Sequence, residues 1–118
     1  MFAIILGSIS FSAVTAELDF PQPGVICDPI AKYCVDKQGL SLPLTQLYLG
    51  IDALQHLRDM LGNEDKVNKH EFTFSNGVHC DTTKKQCYRD RYYPRTLDKQ
   101  EIPLTQYLFG QSAASVKP

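Results

Sequence analysis

The residues best suited to chemistry in this sequence are four cysteines that form two equally spaced pairs. Six residues separate Cys27 from Cys34, and six separate Cys80 from Cys87. Structural zinc sites usually use cysteines about two to four residues apart, and catalytic redox pairs are Cys-x-x-Cys at the start of a helix. A short turn between neighbouring strands instead brings two cysteines within the distance that a disulfide requires. We therefore predict the disulfides Cys27–Cys34 and Cys80–Cys87, with zinc binding and redox activity as the alternatives.

The other candidate catalytic side chains match no enzyme pattern. The sequence contains no Gly-x-Ser-x-Gly, His-Glu-x-x-His, Walker or dinucleotide-binding motif, and His56, His70 and His79 lack a neighbouring nucleophile with a third orienting group. Asp28 and Asp81 each follow the first cysteine of a pair and could form a paired carboxylate site, but aspartate at the start of a turn more often accepts backbone N–H bonds. We expect a non-enzymatic protein without a metal or cofactor; the alternative is an enzyme whose site is built on irregular loops.

Arginine and tyrosine are interleaved in the second half of the chain. Residues 71–118 carry five acidic and seven basic side chains, whereas residues 17–70 carry eight acidic and five basic ones. Tyrosine and arginine are favoured at recognition surfaces. The candidate partner-binding residues are Arg89, Arg91, Tyr92, Tyr93 and Arg95. The alternative is a solvated strand face with half-buried tyrosines. The formal charge of the whole chain is only −1, which argues against a dedicated nucleic-acid-binding protein.

An internal repeat organises the elements that must position these residues. Residues 24–28, Gly-Val-Ile-Cys-Asp, recur as residues 77–81, Gly-Val-His-Cys-Asp, with an offset of 53. A Pro-Leu-Thr-Gln segment at residues 43–46 recurs at residues 103–106 with an offset of 60. The second copy therefore contains seven additional residues between its cysteine hairpin and its Pro-Leu-Thr-Gln segment, and the arginines and tyrosines lie in this region.

Each repeat unit is predicted to consist of three short strands joined by turns, followed by a short helix. In the second unit Phe72 and Phe74 alternate with polar residues, the dipeptide Asn76-Gly77 fits a type I′ turn, and residues 87–93 are predicted to form the third strand. The three strands of each unit are predicted to form an antiparallel β-meander, with the two cysteines of the unit on neighbouring strands.

Helix signals follow each meander. Pro43 and Pro103 suit the first turn of a helix, and Gly50 and Gly110 suit the left-handed αL position just beyond its end. Between the units, a capping box predicts a second helix with leucines on one face and a histidine on the other. Its residues are Asp52 and Gln55 for the box, Leu54, Leu57 and Leu61 for the apolar face, and His56 for the opposite face.

The predicted fold class is α+β, with two tandem repeat units that pack as one pseudo-symmetric domain. Each unit is a small antiparallel β-meander with a Cys-x6-Cys hairpin disulfide followed by a short helix. Residues 1–16 are uncharged and end in small residues, as a signal peptide does, and their apolar stretch is shorter than the roughly 20 residues of a membrane-spanning helix. We therefore predict a signal peptide at residues 1–16, a single domain at residues 17–110 with units 17–62 and 70–110, and a flexible tail at residues 111–118.

Four segments of the chain resemble a known family. They are residues 24–28, 44–50, 71–81 and 90–93, and the most specific feature is Glu-Phe-Thr-Phe-Ser-Asn-Gly followed by Cys-Asp and later by Asp-Arg-Tyr. With these residues the chain resembles the YcgJ-like, Fels-1 prophage protein-like family of small exported bacterial proteins. The resemblance implies a periplasmic or secreted protein, and it supplies no catalytic residue.

The lack of enzyme motifs and the Arg/Tyr insertion together predict a function in recognition. We expect an exported, disulfide-stabilised, non-enzymatic binding module of the bacterial envelope that recognises another protein in the periplasm, as an inhibitor or immunity protein does. The alternative is a structural or stress-related envelope protein that binds glycan or anionic polymer through the basic stretch at residues 84–99. We expect neither a nucleic-acid partner nor a transmembrane segment in the mature chain.

Overall fold

The computed structural model describes residues 17–62 and 68–110. The predicted signal peptide, residues 63–67 of the segment between the units, and the predicted tail lie outside the described residues. The first unit contains β1 (Asp19–Gln22), β2 (Val25–Asp28), β3 (Tyr33–Asp36), β4 (Gly39–Ser41), α1 (Leu42–Leu49) and α2 (Ile51–Gly62). The second contains β5 (Glu71–Thr73), β6 (His79–Asp81), β7 (Gln86–Tyr88), a 3₁₀ turn (Leu97–Lys99) and α3 (Ile102–Phe109). The strands form two antiparallel meanders, β1-β2-β3-β4 and β5-β6-β7, in agreement with the predicted α+β class.

A disulfide closes one hairpin in each unit. Cys27 in β2 lies directly opposite Cys34 in β3, and Cys80 in β6 lies directly opposite Cys87 in β7. Both pairs are disulfide-bonded, with their Cα atoms 4.0 Å apart. The two predicted bridges are therefore confirmed, and all four cysteines are used in them.

The turns of these two hairpins are built in the same way. Asp28 and Asp81 each accept hydrogen bonds from the backbone N–H groups two and three residues further along the chain, at 2.9 to 3.3 Å. Lys32 and Lys85 occupy equivalent positions, and both have a positive φ, 68° and 55°. The two aspartates thus shape their own turns, as expected for aspartate at the start of a turn.

A buried threonine attaches a helix to each hairpin. Thr45 Oγ1 in α1 accepts a hydrogen bond from Cys34 N–H, and Thr105 Oγ1 in α3 accepts one from Cys87 N–H, both at 2.9 Å. Each hydroxyl donates to the backbone carbonyl four residues earlier, at 2.6 and 2.7 Å. The cysteine N–H is available because closely spaced opposite residues in an antiparallel ladder do not bond to each other. The repeated Pro-Leu-Thr-Gln segment therefore fixes the helix on the hairpin.

Helix α2 packs through the predicted leucines. Leu54 and Leu57 are buried, and His56 on the opposite face is exposed. The predicted capping box is wrong, because α2 begins at Ile51 and Asp52 lies inside the first turn. Helix α1 ends at Leu49 and α2 begins at Ile51, so only Gly50 separates the two helices. Leu54 N–H donates to the carbonyl of Gly50 at 3.1 Å.

Two predicted turn conformations also differ from the structure. Gly50 and Gly110 end α1 and α3 with φ of 96° and 106° but ψ of 179° and 160°, which is not the αL conformation. Of the pair Asn76-Gly77, only Gly77 has a positive φ, so the turn is not type I′. Gly77 N–H donates to the carbonyl of Phe74 at 2.8 Å, which makes a three-residue loop that ends in glycine.

The third strand of the second unit is shorter than predicted. Strand β7 ends at Tyr88, and the residues up to Tyr93 leave the sheet. In the first unit, β4 pairs with β3 and adds a fourth strand that the sequence pattern did not indicate. In the second unit an isolated bridge between Tyr88 and Gln100 stands where β4 would be. The inserted residues therefore replace a tight turn and a strand with a loop.

One hydrophobic core contains residues of both units. The buried members include Ile26, Val35 and Leu57 of the first unit with Phe72, Phe74 and Leu108 of the second. Tyr33 packs edge-on against Phe72, and its hydroxyl donates to the carbonyl of Thr73 at 2.6 Å. Asp28 accepts the backbone N–H of Ser75 at 2.6 Å. Burial of apolar surface and these polar contacts hold the two units together.

Candidate functional site

The insertion in the second unit forms a loop, residues 89–99, which we call the Arg/Tyr loop. In the first unit, residues 36–39 make the equivalent turn between β3 and β4. Arg89 N–H donates to the carbonyl of Lys99 at 2.7 Å, and Glu101 N–H donates to the carbonyl of Cys87 at 2.8 Å. Both ends of the loop are therefore held next to the disulfide Cys80–Cys87.

Several charges of the Arg/Tyr loop are satisfied within the loop. Lys99 Nζ lies 3.4 Å from Asp90 Oδ1, and the Arg89 guanidinium donates to the backbone carbonyl of Asp98. The Tyr92 N–H donates to Asp90 Oδ1 at 2.9 Å. This hydrogen bond is the largest cause that holds the pKa of the Asp90 carboxyl below its usual value, and Lys99 adds to it. Arg89 and Lys99 thus stabilise the base of the loop.

Arg95 folds inward and attaches the loop to the sheet. Its guanidinium carbon lies 4.2 Å from the centre of the Tyr93 ring and 5.6 Å from that of Tyr88. Its Nη1 is 3.8 Å from Glu71 Oε1, and its Nη2 donates to the carbonyl of Arg91 at 3.0 Å. The side chain is only 9% exposed, and its Nε has no hydrogen-bond partner among the described residues. Arg95 is therefore a structural residue of the loop and not a free cation.

Arg95 contacts a cluster of polar side chains on β5 and β6. Glu71 Oε1, the oxygen that faces Arg95, also lies 3.0 Å from His79 Nε2, and His79 Nδ1 lies 2.9 Å from Thr73 Oγ1. Thr73 and His79 are cross-strand partners in β5 and β6. Glu71 was not among the predicted site residues, although strand alternation places it with Thr73 on the face opposite Phe72. That alternation is the signal by which the cluster could have been found.

The outer surface of the loop is aromatic and apolar. Tyr92 is 61% exposed, Tyr93 is 75% exposed and Leu97 is 54% exposed. The Arg91 guanidinium lies 5.4 Å from the centre of the Tyr92 ring, at a distance typical of a cation–π contact. Leu97 was not among the predicted site residues, although an apolar residue in a polar insertion is a recognisable signal. Two tyrosines, a leucine and one arginine therefore provide the large side chains that this surface offers to a partner, beside the exposed Pro94, Thr96 and Asp98.

The five predicted site residues are thus divided by the structure. Arg91, Tyr92 and Tyr93 face outward, whereas Arg89 and Arg95 are engaged by the protein itself. The alternative interpretation, a strand face with half-buried tyrosines, is wrong for this segment because β7 ends at Tyr88. The arrangement suits recognition, because exposed aromatic side chains that are held on a braced loop lose little freedom on binding.

The described residues contain no group of three or more His, Cys, Asp or Glu side chains that could hold a metal ion. Within residues 17–62 and 68–110, every helix is too short or too polar to span a membrane.

Comparison with known proteins identifies the family. The YcgJ protein family matches residues 18–109, which contain every strand and helix described above. Over 76 residues, 64% of its length, the chain is 43% identical to a protein of Escherichia coli (strain K12) named "Uncharacterized protein YcgJ". The match spans 57% of that relative's length. No solved structure is significantly similar to the chain. The chain therefore belongs to the YcgJ family, as the resemblance of its sequence predicted.

Proposed function

We propose that this protein is an exported, non-enzymatic binding module of the bacterial envelope that recognises a protein partner through the outer surface of the Arg/Tyr loop. The observation that carries the proposal is the exposure of Tyr92, Tyr93 and Leu97 on a loop whose base is braced by hydrogen bonds and by Arg95. Aromatic side chains and arginine are the residues that contribute most to binding energy at protein interfaces. The partner would be bound as an inhibitor or an immunity protein binds its target.

Two further features support export and the repeat architecture. Disulfides form and persist in oxidising compartments such as the periplasm, and this chain has two of them. The equivalent disulfides, turn aspartates and helix threonines of the two units support pseudo-symmetric packing of the repeats. Fractionation of cells that express the full chain tests the location: the proposal expects the protein outside the cytoplasm.

The charges of the Arg/Tyr loop itself favour a protein partner over an anionic polymer, and the exposed Lys84 and Lys85 are the other basic residues of the stretch that a polymer would use. A polymer site needs several free cations, because such binding depends mainly on ion pairing. Arg89, Arg95 and Lys99 are engaged with acceptors inside the protein, which leaves Arg91 as the exposed loop arginine with no such bond among the described residues. The exposed tyrosine rings do keep glycan as a second candidate, since flat aromatic faces can stack on sugar rings.

The proposal can be tested with a variant in which the equivalent turn of the first unit replaces the Arg/Tyr loop. Replacement of residues 89–99 by Asp-Lys-Gln-Gly, the sequence of residues 36–39, removes the loop and keeps the turn that the same hairpin uses in the other unit. The immobilised protein is incubated with periplasmic extract and, in parallel, with purified peptidoglycan. We expect the native chain to retain one specific protein and the exchanged chain to retain none.

Point variants locate the contact within the loop. Tyr92→Ala with Tyr93→Ala should lower the affinity for the captured protein by about tenfold or more, as for other aromatic hot spots. Tyr48→Ala, which removes an exposed tyrosine from α1, is the matched control and should leave capture unchanged. Retention on peptidoglycan alone would establish the glycan alternative, and capture that is equal for all variants would refute a role for the loop.

A further inference from the structure

His79 is a buried titratable side chain that the proposed recognition surface does not use. Its side chain is only 8% exposed. Its Nε2 lies 3.0 Å from Glu71 Oε1, and its Nδ1 lies 2.9 Å from Thr73 Oγ1. Because an ionised carboxylate only accepts hydrogen bonds, Nε2–H of the neutral imidazole donates to Glu71, and Nδ1 accepts from the Thr73 hydroxyl. Both ring nitrogens of neutral His79 are therefore satisfied.

The same carboxylate oxygen of Glu71 holds Arg95. It lies 3.8 Å from Arg95 Nη1, whereas the contacts of Arg95 with the Arg91 carbonyl and the Tyr93 ring lie within the Arg/Tyr loop. Among the described residues, Glu71 and the Tyr88 ring are thus the groups that connect this guanidinium to the sheet. Since Arg95 is buried, its positive charge depends on Glu71 for compensation.

The charged and titratable groups around His79 come from each strand of its sheet and from the loop. Glu71 lies on β5 and Arg95 in the loop, and Tyr88 on β7 is the cross-strand partner of His79. Asp81 lies opposite Glu71 in the sheet, but its Oδ1 accepts two backbone N–H groups of its own turn. Among the described residues, Asp81 forms no ion pair with His79 or Arg95. Two basic side chains therefore share one carboxylate oxygen.

Protonation of His79 changes the charge of this cluster and keeps its hydrogen bonds. Histidine ordinarily changes its charge between about pH 5 and 8. The protonated ring donates from both nitrogens, and the Thr73 hydroxyl can turn to accept from Nδ1. The new positive charge is closer to Glu71 Oε1 than Arg95 is, so it offsets the carboxylate and repels the guanidinium. A buried cation without compensation is strongly disfavoured, and Arg95 can reach water only if the loop moves.

We propose that protonation of His79 releases Arg95, and with it the outer part of the Arg/Tyr loop, from the sheet. The loop is then ordered at neutral pH and mobile at mildly acidic pH. The backbone hydrogen bonds at the base of the loop do not involve the cluster, so the release is confined to residues 91–97. An ordered loop loses less freedom on binding, so acid should also weaken partner capture. That last effect rests on the proposed function, whereas the release of the loop does not.

The test is amide NMR of the full chain between about pH 8 and 5.5, a range above the ordinary pKa of glutamate. The His79 ring signals and the backbone order parameters of residues 91–97 are followed in the same samples. We expect the order parameters to fall from about 0.85 to below about 0.6 as the ring takes up its proton, with one midpoint for both changes. The order parameters of β6 should stay unchanged.

Three variants assign the transition to the cluster. His79→Gln keeps a neutral donor for Glu71, so the loop should stay ordered over the whole pH range. His56→Gln, at an exposed position on α2, is the matched control and should leave the transition as in the native chain. Glu71→Gln removes the carboxylate, so the loop should be mobile at every pH.

Three results would overturn the proposal. They are a loop that stays ordered while His79 is protonated, a His79 ring that takes up no proton in this range, and a transition that persists in His79→Gln. Should His79→Gln fail to fold, the native chain and Glu71→Gln still decide. A loop that responds to pH in a chain that captures no protein would refute the proposed function and keep this inference.

Discussion

Thr45 and Thr105 show how a single hydroxyl can join a helix to a disulfide hairpin. Each is fully buried, and each accepts the backbone N–H of the second cysteine of its unit, Cys34 or Cys87. A buried donor without an acceptor costs free energy, and the threonine hydroxyl provides an acceptor for this N–H. The threonine is therefore required by the bridge beside it, which explains why it recurs with the cysteines in both units.

Replacement of either threonine by valine should destabilise the protein, because the cysteine N–H would stay buried without an acceptor. We expect Thr45→Val and Thr105→Val each to lower the free energy of unfolding by about 1 to 3 kcal/mol, measured by urea denaturation. Thr83→Val, at an exposed position, is the control and should change it by less than about 0.5 kcal/mol. Equal effects at buried and exposed threonines would contradict this role.

At the scale of elements, the approach of β4 to the segment before β5 depends on Gly39. Its φ of 117° lies in the region that favours glycine, and a Cβ atom there would meet the Lys69 carbonyl oxygen at 2.2 Å. The same carbonyl accepts the N–H of Leu40 at 3.0 Å. The glycine thus permits the backbone contact that links the two sheets.

Gly39→Ala should therefore combine a backbone penalty with a steric clash. The positive φ alone costs about 1 to 2 kcal/mol, and displacement of a packed neighbour adds about 1 to 3 kcal/mol. Gly24→Ala is the matched control, because Gly24 has a φ of 80° and no atom within 4 Å of the added Cβ. In thermal and urea unfolding, Gly39→Ala should lose clearly more stability than Gly24→Ala; equal losses would show that the contact with Lys69 is unimportant.

The elements that could be predicted from sequence are those with local signals. The cysteine spacing and the repeat specify the two hairpins, and Pro43 with Gly50 brackets α1. The inward fold of Arg95 could not be predicted, because it depends on contact with Glu71 in another strand, and nothing local distinguishes Arg95 from Arg91.

At the scale of the whole molecule, Tyr33 links the two units through its hydroxyl. The ring is buried beside Phe72 and Phe74, and the hydroxyl donates to the carbonyl of Thr73 at 2.6 Å. Burial, with a smaller contribution from the nearby Asp28 carboxylate, raises the pKa of the Tyr33 phenol. The folded protein therefore keeps this proton at a pH where the unfolded chain releases it.

This pKa shift predicts a loss of stability in alkali. The contribution is fully present below the ordinary tyrosine pKa of about 10 and is lost as the pH rises above it, at up to about 1.4 kcal/mol per pH unit. Urea unfolding between about pH 9 and 11 should show this decline in the native chain. Tyr33→Phe should flatten it, whereas Tyr48→Phe, at an exposed position, should not. Parallel slopes for all three proteins would exclude Tyr33 as the cause.

The difference in length between the two equivalent turns has a consequence for how the family can diversify. A connection of eleven residues in place of four raises the entropy cost of closing the hairpin by only about 1 kcal/mol, on the logarithmic dependence of loop closure. The disulfide Cys80–Cys87 closes the neighbouring β6–β7 hairpin, just before this loop, and contributes about 2 to 3 kcal/mol to the part of the fold that carries it. The turn at residues 36–39 lies beside the equivalent bridge and should tolerate an insertion of similar length. One chain could then display two different loops, and a single fold could acquire a second specificity without a change in its core.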